Sequence, residues 1–274
     1  MFTKFKIVNF FFIFILTLAV MNDQNTLFAQ EDVNNDFSNA IDAEEKRSKW
    51  GTEEHKKSLI EEMSSANVSL FIEEHLEPIN QPSRIYYKFE KESTLEDSFK
   101  GNVVLNIVKI DEDGKKYITF RYLKGRNKVR YPPQIGAKGN PVFMLFFERD
   151  ARDMQRLTGG NALFFRSRIR HSIAATSIKE GSVDFNGKKL DTIEINFQPF
   201  LKTKLKNRIS RYQEKKFHVI LSKDIPGHIF KIQTLTQDSK NSKDVVKETL
   251  TYLGIKTNKE LREIYKKNKE KKNE

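Results

Sequence analysis

Ile85, Tyr87 and Phe89 alternate with polar neighbours, and that two-residue period predicts a half-buried strand. Residues 99–110 are β-branched and apolar, residues 117–123 alternate again, and Asp113-Gly114 between them signals a hairpin. The period then changes to that of a helix. Asn140 caps and Pro141 opens a helix from Val142 to Leu157, which Gly159-Gly160 stops. Asn161 caps a second helix reaching about Ser177. Strands resume at 182–185, turn at Asn186-Gly187 and continue over 190–200. Residues 217–221 and 229–234 form a hairpin around Asp224-Ile225-Pro226-Gly227, residues 245–253 are the last strand, and a charged helix starts at Asn258. Residues 132–140, with Gly136 and Gly139, read as a loop feeding the first of the paired helices.

Short turns between strands make antiparallel sheets, and an inserted helical pair must bury its apolar stripes on one sheet face. The predicted class is therefore α+β: a curved, half-barrel-like antiparallel β-sheet over 83–253. A mid-chain helical pair at 141–177 covers it, with N- and C-terminal helices. Helical spacing over 40–80 (Ile41, Trp50, Leu59, Ile60, Met63, Leu70, Phe71, Leu76) supplies the first, and 256–274 the charged C-terminal helix or tail.

The N-terminus changes the picture of where the chain works. Lys4 and Lys6 precede an apolar run of about 14 residues, Ile7 to Val20, against roughly 20 for a spanning helix. With Ala29 before Gln30, residues 1–29 read as a cleaved secretory signal and 30–39 as a polar, disordered leader. The expected location is periplasmic. The chain has no cysteine, which excludes lipid attachment through cysteine and leaves stability to the core. Export separates the chain from nucleotides and nucleic acid, and no cofactor is expected.

Net charge is +12, and cleavage leaves 47 basic against 36 acidic side chains, or +11. A basic exported protein meets anionic envelope components or acidic proteins, and peripheral membrane contact is compatible with that charge. Residues 201–217 carry Lys202, Lys204, Lys206, Arg208, Arg211, Lys215 and Lys216 against Glu214 alone. Lys202, Lys204, Lys206 and Arg208 are the candidate docking residues, although a solvated surface is the commoner meaning of such a run. Residues 256–274 hold eight basic and four acidic side chains.

The densest chemistry lies on the helical pair. Its first helix opens apolar on all sides, Val142 to Phe147, and becomes Glu148, Arg149, Asp150, Arg152, Asp153 and Arg156. Glu148–Arg152 and Arg149–Asp153 are spaced to pair along the helix. The second alternates Phe164, Phe165 and Ile169 with Arg166, Arg168, Arg170 and His171, so ion pairs between the helices are expected. One meaning is a salt-bridged hairpin that fixes register. Another is a ligand site in which Arg166, Arg168 and Arg170 meet an anionic head group beside Phe147 and Phe165. A third is a hydrolase using Glu148, Asp150 and His171, although residues two apart on a helix face different directions. His55, His75, His171, His218 and His228 show no metal-ligand spacing, and no metal site is predicted. The 22 phenylalanines serve equally a filled core or a cavity for an acyl chain.

The order of elements resembles the carrier domains that move lipoproteins across the periplasm: open half-barrels whose helices, including a mid-chain pair, cover the concave face. Residues Lys216 to Ile232 (KFHVILSKDIPGHIFKI) are similar to the strand–Pro–strand passage of that superfamily. Asn140-Pro141 through Gly160, followed by Phe164 to Arg170, resembles a signature of an uncharacterised exported bacterial family. The expectation is a soluble periplasmic binding or carrier module for a lipidic or amphipathic ligand. The alternatives are a non-enzymatic interaction factor of envelope assembly, docking through the basic segment, and the hydrolase.

Overall fold

The computed structural model describes residues 61–203, 209–237 and 245–270. The expected signal, the leader, the helical spacing over 40–60, and Lys204, Lys206 and Arg208 lie outside them. The chain divides into Met1–Glu62 and Met63–Glu274, and every element below belongs to the second unit.

The strands are β1 Ser83–Ser93, β2 Phe99–Ile110, β3 Lys116–Tyr122, β4 Gln134–Ala137, β5 Lys179–Phe185, β6 Lys188–Phe197, β7 Lys216–Leu221, β8 Ile229–Gln237 and β9 Val245–Thr257. The long helices are α1 Val142–Thr158, α2 Ala162–Ala174 and α3 Asn258–Glu270. All nine strands form one antiparallel sheet in the order β4-β3-β2-β1-β9-β8-β7-β6-β5. It is two meanders joined through β1 and β9. The first ends at one edge of the sheet, on β4, and the second starts at the other, on β5. Nine strands at 4.8 Å span roughly 38 Å, so the connection must cross a whole face. Helices α1 and α2 make that crossing and cover the concave face, as the α+β half-barrel reading expects.

Local chemistry sets the boundaries. Asn140 Oδ1 accepts the Val142 N–H at 3.2 Å, and the Pro141 carbonyl accepts from the Leu145 N–H at 3.1 Å. Gly159, at φ 65°, ends α1 in the left-handed region and donates to the Gln155 carbonyl. Asn161 Oδ1 accepts the Leu163 N–H and starts α2. Strand β2 has the bounds its pattern predicts, and Gly114, Asn186 and Gly187 turn with positive φ where hairpins were expected.

Several elements depart from expectation. Residues 134–137, read as loop, form the edge strand β4, which pairs only with Lys116, Tyr117 and Ile118. Helix α2 ends at Ala174, and β9 continues past Leu253 to Thr257 through an irregularity opposite Tyr86 and Tyr87. Within the described part of 40–80, a helical turn at Ser65–Asn67 passes into a π-helical turn at Val68–Ile72, and Leu70, Leu76 and Ile79 are buried.

Candidate functional site

Helix α1 changes character halfway, and the sheet beneath it changes with it. In the apolar half, Phe146 lies 6.3 Å from Phe89 of β1, and Phe147 lies 6.1 Å from Phe197 of β6 and 6.2 Å from Phe217 of β7. Phe165 of α2 meets Phe200 edge-on at 5.5 Å, a favoured aromatic geometry. Phe89, Phe143, Phe146, Phe165, Phe200 and Phe217 are each at most 1% exposed. The interior is thus filled by side chains. An open cleft of about 500 Å³ lies beside α3 rather than under the helical pair.

In the other half the sheet face is ionic. Strand β1 points Ile85, Tyr87, Phe89 and then Lys91 inward; β9 points Val246, Glu248 and Leu250 inward. Arg149 bonds Glu248 at 2.7 Å and Asp153 at 3.1 Å. Lys91 reaches Glu96 at 2.6 Å and Glu248 at 3.5 Å, and Arg156 reaches Glu96 at 2.7 Å. Lys215, just before β7, pairs with Asp150. Four cations (Lys91, Arg149, Arg156, Lys215) face four anions (Glu96, Asp150, Asp153, Glu248), so the network is formally neutral. Arg149 also lies 4.8 Å from the Phe89 ring, at the seam of the two halves.

Burial and pairing compete here. Burial drives the Glu248 carboxyl upward, but facing Arg149 and Lys215 outweigh it and hold the group below its ordinary value. Asp150 goes the other way: burial raises it, Lys215 opposes, and Glu248 adds to the rise. Two buried polar atoms in this seam have no protein partner, Asp150 Oδ2 and Tyr122 Oη of β3. Burial pushes the Tyr122 hydroxyl far up, Arg149 opposing, so it stays a protonated donor.

The structure distributes the sequence candidates unevenly. Both expected pairs within α1 form, Arg152–Glu148 at 2.5 Å and Arg149–Asp153, and Arg166 joins the two helices by bonding Glu148 at 2.6 Å. Arg168 donates to the Pro199 carbonyl at 3.0 Å, whereas Arg170 is exposed. Phe147 and Phe165 are core, and Lys202 is exposed. Glu148, Asp150 and His171 do not converge. Glu148 is held by arginines, Asp150 is buried against Lys215, and exposed His171 bonds Ser167 at 3.3 Å. Lys91, Glu96 and Glu248, which complete the network, were missed, and Lys215 was read only as part of the basic segment; a lone charge continuing an inward apolar alternation marks Lys91 and Glu248.

A second buried cluster stands where the segment before β1 meets the β7–β8 turn. Donor atoms of Glu73, His75 and His228 lie within 4.8 Å of one another. The set does not fit a metal, because both His75 nitrogens are spent: Nε2 bonds the Ser69 carbonyl at 2.7 Å, and Nδ1 accepts the Asn140 N–H at 3.1 Å. Asn140 also donates through Nδ2 to Tyr87 Oη at 2.9 Å and to the Gly227 carbonyl at 2.7 Å. One side chain therefore ties α1, β1 and the β7–β8 turn together.

No protein-family model matches the chain, and no curated sequence does. Solved structures it is similar to include the Mycobacterium tuberculosis lipoprotein LppX, at 9% identity and TM-score 0.30, covering 69% of this chain and 93% of that one. A DUF1329 family protein from Desulfovibrio piger shows 9% identity and TM-score 0.23 over 71% and 94%. A LolA superfamily protein from Nitrosomonas europaea shows 11% identity and TM-score 0.20 over 70% and 93%.

Proposed function

We propose that the protein is a periplasmic binding or carrier module for a lipidic or amphipathic ligand, with α1 and α2 as the cover of its binding face. The observation that carries this reading is the divided interior. An aromatic compartment adjoins a neutral ionic one, and at their boundary Asp150 Oδ2 and Tyr122 Oη are buried without a protein partner. Such groups cost roughly 1–3 kcal/mol each. An acyl chain matches the aromatic half. A head carrying both an acceptor for Tyr122 and a donor for Asp150, such as the amide of an acylated peptide, matches the boundary.

Because the interior is filled, entry requires α1 and α2 to part from the sheet. The chain then takes over apolar contacts the helices make with Phe89, Phe197 and Phe217, one apolar burial replacing another. Native mass spectrometry of delipidated protein with fatty acid, phospholipid and acylated peptide tests this. One-to-one complexes with at least one class are expected, and none with any class overturns the proposal.

The filled interior also favours a second reading, an interaction factor of envelope assembly docking an acidic partner through Lys202, Lys204, Lys206 and Arg208. Charge reversal at these four positions then abolishes pull-down of that partner and leaves folding intact; unchanged pull-down ends that reading.

A further inference from the structure

Helix α3 is firmly started and almost unpacked. Glu260 accepts the Thr257 N–H at 2.6 Å and the Thr257 hydroxyl at 2.8 Å, while Thr257 Oγ1 accepts the Glu260 N–H, a reciprocal cap that fixes the first turn. Beyond it, apolar side chains that would ordinarily seek a core stay in solvent. Ile264 is 39% and Tyr265 71% exposed, and Leu261 is only half-buried. Their spacing, i, i+3 and i+4, places all three on one stripe.

The charges are sorted around that stripe. Lys259, Arg262 and Lys266, spaced i, i+3 and i+7, share the face largely opposite the stripe and line the open cleft with Pro82 and Val108, itself 49% exposed. Glu263 is the acidic residue lining it. Lys267 is exposed, and the sequence after Glu270 adds Lys271 and Lys272.

We propose that α3 is a docking element for an anionic lipid bilayer, lying in the plane of the interface. Ile264 and Tyr265 enter the head-group layer, and Lys259, Arg262 and Lys266 meet lipid phosphates. An acidic protein would satisfy the cations alone. An exposed aliphatic and aromatic stripe backed by a basic face fits a bilayer interface, apolar below and anionic above. This site is separate from the ligand site under α1 and α2 and does not depend on it.

Co-sedimentation of the full protein with vesicles tests it, using phosphatidylglycerol mixed into phosphatidylcholine against phosphatidylcholine alone. The expected result is salt-sensitive binding to the anionic vesicles only. Each surface cation contributes roughly a fivefold gain, so K259Q/R262Q/K266Q weakens binding by about 100-fold. I264S/Y265S weakens it while keeping the salt dependence. Circular dichroism verifies that each variant is folded. Equal binding to both vesicle types, binding to neither, or undiminished binding of the folded triple variant overturns the proposal. So does a change of oligomeric state in I264S/Y265S by sedimentation velocity, which would mean that a second copy covers the stripe.

Discussion

Arg149 and Glu248 are 99 residues apart in the chain and 2.7 Å apart in space, a buried pair that clamps the ionic half of α1 to β9. Removing one member of such a pair leaves the other charge buried and uncompensated, at about 3–5 kcal/mol. Glu248→Gln is expected to lose about that much in urea unfolding. Replacing both, as R149M/E248M, recovers at least half of the loss, because apolar side chains of similar size need no partner. A double variant no better than the single contradicts this.

Asn140 satisfies three groups at once: the Val142 N–H, the Tyr87 hydroxyl and the Gly227 carbonyl. Asn140→Ala strands them in a dry site and is expected to cost about 2–4 kcal/mol. Asn140→Asp keeps the acceptor and loses both donors, so it is no milder. Thermal unfolding of the two variants checks the order.

Gly227 and Gly187 share the left-handed region, at φ 82° and 76°, but differ in space. A Cβ at Gly227 meets Ile85 Cδ1 at 2.8 Å and Asn140 Nδ2 at 2.9 Å, while one at Gly187 meets nothing within 4 Å. Gly187→Ala is expected to cost only the backbone term, about 1–2 kcal/mol, and Gly227→Ala clearly more. Equal losses in a denaturant titration would show that the Asn140 hub yields freely.

Burial lowers the pKa of both His75 and His228 from 6.5, His228 to about 4 with neighbouring His75 adding to the shift. Between those values the unfolded chain binds more protons than the folded one. Stability from these groups is therefore full above pH 6.5 and is lost as pH falls toward 4. Asp150, whose pKa is raised, acts in the opposite sense, so the informative quantity is the difference between proteins. His228→Asn suits φ 57° and removes one of the titrating groups, so its melting temperature falls less between pH 7 and 5 than that of the wild type.

The strands and the helical pair were legible because each carries its own period and its own stop: Asp113-Gly114, Asn186-Gly187, Gly159-Gly160. Strand β4 was not, since Pro132, Pro133, Gly136 and Gly139 give it the composition of a loop and only its pairing with β3 makes it a strand. Glu148–Arg152 and Arg149–Asp153 were legible as neighbours on one helix. Lys91, Lys215 and Glu248 come from β1, the approach to β7 and β9, and nothing local reports that three such distant charges share a pocket with Asp150. Asp150 looked like a candidate acid from sequence; burial beside Lys215 makes it part of the framework of the interior.

The divided interior is tested most directly by photo-crosslinking with a diazirine-bearing acyl chain, followed by peptide mapping. If the chain enters between the helices and the sheet, the label falls on the inward segments of β1, β7 and β9 and on the first half of α1, near Phe89, Phe217, Leu250 and Phe146. Label confined to α3 and the basic surface, or spread without pattern, would contradict a binding face beneath the helical pair.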